Sequence, residues 1–151
     1  MIPLMIDFTG KRVVIFGGGA VGARKARYFA REAEVVVYSR SFHHEFEELA
    51  VKKEVCDLIP NKEALLPMLE DASFVIAATS DQELNELIQT ICNQKRVLCN
   101  VAKGRPGDVM LPAQITGARY VIGISTKGSV PGISRLIREE LEKSFPDLDD
   151  L

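Results

Sequence analysis

The sequence has few of the features that mark disulfide-stapled, metal-clustered or membrane-spanning proteins. Its three cysteines, Cys56, Cys92 and Cys99, are odd in number and dispersed, without CxxC spacing, so reduced core thiols are expected. No apolar run approaches the roughly 20 residues that cross a bilayer. The stretch from Met1 to Phe8 has no basic leader followed by an apolar segment and a cleavage site, so a cytoplasmic protein with no membrane partner is expected. A net charge of −2 gives no general pull toward nucleic acid, and any acidic ligand must be met by local basic groups. There is no repeat, low-complexity segment, linker, GxSxG elbow or HExxH pair. The only paired histidines are His43 and His44, ahead of Glu45 on an expected charged helix. Consecutive helical residues point about 100° apart, which makes them poor joint ligands, so no metal is expected. The charges from Glu45 to Lys53 read as a solvated face.

What the chain does have is a short apolar strand running into Gly17-x-Gly19-x-x-Gly22, with a helix-like segment directly after it. One glycine suits a tight turn, one lets the backbone approach a pyrophosphate, and one allows close packing of helix on strand. The following helix N-terminus offers free N–H groups and the positive end of a dipole to an anion. Gly17, Gly18, Gly19, Ala20, Val21 and Gly22 are therefore the expected cradle of a dinucleotide.

The chain has 151 residues, 46% of them hydrophobic, which is enough for one real core. Apolar β-branched runs alternate with helical patterns, the signature of βαβ units. The expected order is strand 11–16, helix 20–32, strand 34–39, helix 42–52, strand 54–58, a helix capped by Asn61 and running to 70, strand 73–79, a helix capped by Asp81 and running to 93, strand 96–101, strand 120–125 and helix 132–144. The expected fold is α/β, a doubly wound, Rossmann-like and mostly parallel sheet flanked by helices. One dinucleotide-binding domain covers residues 1–145, and 146–151 form an acidic tail. The loops at 102–108 and 126–131 are placed to meet a ligand.

Dinucleotide folds usually carry a carboxylate about 20 residues after the glycines, where it takes the ribose hydroxyls. Here the second strand ends Val37-Tyr38-Ser39-Arg40, with no carboxylate. Ser39 and Arg40 are left to bond the ribose or tolerate a 2′-phosphate, or Arg40 is simply solvated. These residues leave the choice between NAD and NADP open, with a lean toward accepting NADP as well as NAD. Lys103, Arg105 and Lys127 lie in or near the later loops, and Arg135 and Arg138 share a helix face at i and i+3. Guanidinium groups meet carboxylates bidentately, so this cluster suits a polycarboxylate, unless Glu139, Glu140 and Glu142 pair with it on the helix surface.

Several segments together carry a resemblance to one family: residues 17–25, Ala77-Ala78-Thr79-Ser80-Asp81 with Asn85, Cys99-Asn100-Val101, residues 110–113, and residues 125–131 followed by Arg135-Leu136-Ile137-Arg138-Glu139. In order, they resemble the siroheme synthase N-terminal domain, the precorrin-2 dehydrogenase family, over nearly the whole chain. The resemblance implies NAD-dependent oxidation of precorrin-2 to sirohydrochlorin in a homodimer, NADP being the other possible cofactor, with Thr79 and Asn100 completing the cofactor site. It also implies that some members insert iron. The substrate would be a tetrapyrrole with eight carboxylates, facing Lys103, Arg105, Ser125, Thr126, Lys127, Arg135 and Arg138. Similar proteins continue into a helical C-terminal extension, so a chain ending at Leu151 resembles the nucleotide domain alone. The family commonly places an aspartate shortly after Cys-Asn-Val, where this chain has Ala102-Lys103, and the nearest carboxylate is Asp108. Asp108 is thus the candidate general base, with a plain turn aspartate as its other reading. A non-catalytic NAD-binding regulatory or assembly module is the alternative function. Such a module would not need basic groups at both late loops.

Overall fold

The computed structural model describes residues 2–104, 106–126 and 131–145. Arg105, Lys127, the rest of the 127–130 loop and the acidic tail 146–151 lie outside the described residues. The chain divides into two compact units. One is formed by residues 4–109, the other by residues 1–3 with 110–151.

The first unit is built on a five-stranded parallel sheet. Its strands are β1 (Arg12–Phe16), β2 (Glu34–Ser39), β3 (Lys52–Val55), β4 (Ala72–Ala77) and β5 (Leu98–Val101), in the spatial order β3-β2-β1-β4-β5. Helices α1 (Ala20–Phe29), α2 (Lys62–Leu65) and α3 (Gln82–Lys95) connect them. Strands β1, β2 and β4 read as unbroken apolar runs because both of their faces are covered. On one face Val14, Phe16, Val75, Ala77 and Cys99 pack with Leu65, Leu69, Leu84, Ile88 and Ile91. Phe29 of α1 packs against Phe74 with the rings tilted at 42° and their centroids 5.4 Å apart, and meets Phe8 edge-on at 5.0 Å. The expected doubly wound α/β class is what the sheet order shows. The edge strand β3 carries Lys52 and Lys53, exposed charges that discourage pairing with another chain.

The departures from expectation have local causes. The helix expected at 42–52 is a single 3₁₀ turn, His44–Glu48, that buries Phe46. Lys52 already pairs with Val36 in the sheet, so an eleven-residue helix would leave no chain to enter β3. For the same reason β3 begins two residues earlier than the expected 54–58. Asn61 caps its helix as expected, accepting from the Ala64 N–H at 3.0 Å. That helix gives way after Leu65 to a 3₁₀ turn, Leu66–Leu69, because Pro67 lacks the N–H that an α-helix would use. Asp81 caps α3 through the Leu84 N–H at 3.1 Å. At the other end Arg96 adopts a left-handed conformation, φ 57°, so β5 starts at Leu98 rather than 96.

In the second unit the expected strand at 120–125 appears as β7 (Val121–Ile124), but not as a sixth member of the parallel sheet. It pairs antiparallel with β6 (Ala113–Thr116), a short strand of modest apolar content with no clear signal in the sequence. The Gly117 N–H donates to the Tyr120 carbonyl at 3.0 Å across the connection. Helix α4 (Pro131–Ser144) follows. Among the described residues no helix is long and apolar enough to cross a membrane.

Ile76 is fully buried on β4, in register with Ile15 of β1 and Asn100 of β5. Ile76→Ala is expected to lower stability by about 2–5 kcal/mol, read as a drop in urea midpoint at unchanged slope. A loss below about 1 kcal/mol would mean that the sheet centre relaxes around the cavity.

Candidate functional site

At the carboxyl ends of the strands the first unit opens into a cleft of about 680 Å³, a size that suits a cofactor. Its floor is the turn from Gly17 to Val21. One bank carries Ser39, Arg40, Ser41, Asp57 and Leu58, and the other carries residues 78–81, Leu84, Ala102 and Lys103.

The glycines divide the labour in a way that their geometry makes explicit. Gly17 has φ +111°, and a Cβ there would lie 2.4 Å from the Ala78 carbonyl oxygen. A Cβ on Gly18 would meet the Ser41 carbonyl oxygen at 2.1 Å, and one on Gly22 the Gly17 carbonyl oxygen at 2.1 Å. These three positions must be glycine for the turn to pack. Around Gly19 a Cβ would meet nothing within 4 Å, so this position borders open space. Gly19 is also the N-cap of α1 and brings no side-chain cap, and the first turn has no acidic residue. Its free N–H groups and dipole end are available to an anion. This bare cradle fits a pyrophosphate.

The second bank is held by Asn85, which is fully buried on α3. Its Oδ1 accepts from the Thr79 hydroxyl at 2.7 Å and the Thr79 N–H at 3.1 Å. Its Nδ2 donates to the Thr79 carbonyl at 3.1 Å and the Lys103 carbonyl at 3.2 Å. All four hydrogen-bonding positions of the amide are used, which is how a buried polar side chain avoids its desolvation penalty. Asn85 thereby ties the loop after β4 to the loop after β5. The sequence offered it only as part of a shared segment; a buried asparagine on a helix has no signature of its own.

Of the expected cofactor residues, Gly17, Gly18, Gly19, Ala20, Val21, Ser39, Arg40 and Thr79 line the cleft together, while Gly22 and Asn100 lie outside the lining. Asn100 is buried at the end of β5. Its Oδ1 accepts from Lys25 Nζ at 2.6 Å and its Nδ2 donates to the Val109 carbonyl at 2.7 Å. Burial, and then the charge of Arg24, bring the Lys25 ammonium down to about 8. Val109 also donates to the Cys99 carbonyl at 3.2 Å, so the segment carrying the exposed Asp108 is fastened to β5. Asp108 is not among the cleft-lining residues, whereas Lys103 is.

Ser125, Thr126, Arg135 and Arg138 belong to the second unit. Arg135 Nε donates to Glu139 at 2.8 Å, and Arg138 lies 3.9 Å from Glu142. Both arginines therefore share their charge with carboxylates of their own helix. The hydroxyls of Ser134 and Thr126 are in contact at 3.3 Å.

His43 and His44 do not diverge as helical neighbours would. His43 is the extended N-cap of the 3₁₀ turn, and the two ring centroids are 4.1 Å apart. Their ligand atoms and that of Glu45 fall within 4.8 Å of one another. Glu45 is already engaged by Arg27 at 3.0 Å, and His43 Nδ1 accepts from the Glu45 N–H at 3.4 Å.

The family model described as "Putative NAD(P)-binding" matches residues 4–113. This chain belongs to that NAD(P)-binding family. Among its relatives, a precorrin-2 dehydrogenase of Methanosarcina barkeri is 38% identical over 93% of this chain and 65% of the relative. A siroheme synthase of Sodalis glossinidius is 34% identical over 96% of this chain and 31% of the relative. The chain thus spans less than two thirds of the length of either. The solved structure of SirC, a precorrin-2 dehydrogenase, superposes with a TM-score of 0.77 at 27% identity, covering 95% of this chain and 71% of that one. The resemblance read from the ordered sequence segments is the one these relatives bear out.

Lys25 gives a pH-dependent signature of this part of the family fold. An unfolded lysine titrates near 10.4, so between about pH 8 and 10.4 the unfolded chain holds the proton that the folded chain has released. Stability should therefore rise with pH across that window. Relative to Lys25→Gln, which keeps a donor for Asn100, the wild type should gain on the order of 1 kcal/mol between pH 7.5 and pH 10, allowing for partial solvent screening. A pH-independent difference in urea midpoints would place the ammonium in solvent.

Proposed function

We propose that this chain oxidises precorrin-2 to sirohydrochlorin with NAD as hydride acceptor. The observation that carries the reading is the open cradle at Gly19, in a cleft whose neighbouring glycines are packed shut, on a chain similar over 93% of its length to a precorrin-2 dehydrogenase. The bound nicotinamide would supply the hydride acceptor. Gly17 to Val21 would hold the pyrophosphate on the α1 N-terminus, and Ser39 and Arg40 would meet the adenosine ribose. Thr79 and Lys103, fixed through Asn85, would border the other half of the cofactor. The protein's work is then to orient two flat partners and to take up one proton.

Asp108 is our candidate for that proton. It is the sole carboxylate between Ala102 and Val109, and the hydrogen bonds of Val109 to Cys99 and Asn100 fix its segment. As the resemblance implies, Lys103 of the first unit is a candidate for meeting the carboxylates of the tetrapyrrole, and Ser125, Thr126, Arg135 and Arg138 of the second unit are candidates by themselves, as are Arg105 and Lys127 outside the described residues. Helix α4 exposes Ile133, Leu136 and Ile137, an apolar surface that would be covered in a homodimer. We place the enzyme in the cytoplasm, consistent with its relatives' biosynthetic names.

Anaerobic incubation with precorrin-2 and NAD should give coupled growth of reduced-nicotinamide and sirohydrochlorin absorbance. Nucleotide binding without turnover would instead point to a non-catalytic module. Gly19→Val should fold normally, since nothing stands within 4 Å of its Cβ, yet weaken NAD binding by at least about 100-fold. Asp108→Asn should cut turnover by about 10²-fold or more at unchanged NAD affinity. Wild-type turnover in that variant would remove Asp108 from the mechanism.

A further inference from the structure

We infer that Asp57 takes the place of the carboxylate missing from the end of β2, and that its pairing with Arg40 tunes the cleft to prefer NAD over NADP. The inference rests on the nucleotide reading of the cleft and adds the basis of its selectivity.

The sheet register brings the two residues together. Ser39, the last residue of β2, pairs with Val55, the last of β3, and the Cys56 N–H donates to the Ser39 carbonyl at 3.0 Å. The chain therefore stays beside β2 as it leaves β3, and Asp57 emerges on the same bank of the cleft as Ser39 and Arg40. Arg40 Nε lies 3.6 Å from Asp57 Oδ1, with the two side chains 82% and 77% exposed. Such an exposed pair adds little stability and opens readily to a ligand. The Gly18 turn is packed on this bank, for its Cβ would strike Ser41, and its carbonyl accepts from the His43 N–H at 2.7 Å. The bank is thus fixed relative to the phosphate cradle.

A carboxylate here can accept hydrogen bonds from the two ribose hydroxyls of NAD, as a β2 carboxylate does elsewhere. A 2′-phosphate brings about −1.5 to −2 charges. It would compete with Asp57 for Arg40 and then face the displaced carboxylate. The guanidinium keeps NADP binding measurable, and the carboxylate sets the preference.

The test is calorimetric titration of the wild-type chain, Asp57→Asn and Arg40→Ala with NAD and with NADP, at low and high ionic strength. The wild type should prefer NAD by roughly tenfold. Asp57→Asn should narrow that ratio by at least about fivefold, and Arg40→Ala should widen it, with both shifts shrinking in salt. Equal weakening of both nucleotides in Asp57→Asn would assign the carboxylate to the base rather than the ribose and overturn the inference. So would an unchanged ratio. Failure of the wild type to bind either nucleotide would overturn the nucleotide reading itself.

Discussion

Everything at the cleft depends on how closely two parallel strands approach at their carboxyl ends. As β1 ends, Gly17 turns at φ +111° with its α-carbon against the Ala78 carbonyl, where a side chain would come within 2.4 Å of that oxygen. The Ala78 N–H in turn donates to the Phe16 carbonyl at 2.8 Å. This backbone-to-backbone contact lets the chain pass from strand to helix in three residues, so that the first residues of α1 line the cleft. The fully buried strands beneath it supply the rigidity that the turn needs. The banks, the cradle and the selectivity argued for Asp57 all take their positions from it.

The elements that the sequence announced clearly were those whose signal is local. Gly17-x-Gly19-x-x-Gly22 after a β-branched run, the caps at Asn61 and Asp81, and the apolar strands β1, β2 and β4 each carry their reason within a few residues. The misread elements answer to partners far along the chain. The stretch after Ser39 has helical spacing at Phe42 and Phe46, yet the register of Lys52 against Val36 claims the chain first. The strand β6 is visible only once β7 is paired with it. The site shows the same division. Its floor was legible, because glycine chemistry is dictated by backbone approach. Asn85, Lys25 and Asp57 were not, because each acquires its role through one or two contacts made by the folded chain.

The basic residues illustrate why composition alone misleads about charge. Arg135 and Arg138 look like a free pair on a helix face, and their own helix supplies Glu139 and Glu142 as partners. Arg135, together with the other cations around it, holds the Glu139 carboxyl below its ordinary range. A polycarboxylate must therefore displace neighbours already in place. Lys25 is the contrasting case, a cation drawn out of water to serve a structural amide.

The four bonds of Asn85 leave that position with no tolerance for a change of a single atom. An amide is the side chain of this size that can accept twice on one side and donate twice on the other, and both of its faces are spoken for. Deamidation would exchange the nitrogen for an oxygen without altering the shape, and would turn the carbonyls of Thr79 and Lys103 from partners into repelling dipoles. The loops after β4 and β5, which together form one bank, would then lose their common anchor while the core around them stayed intact. A chain aged in this way would keep its secondary structure and lose its cleft.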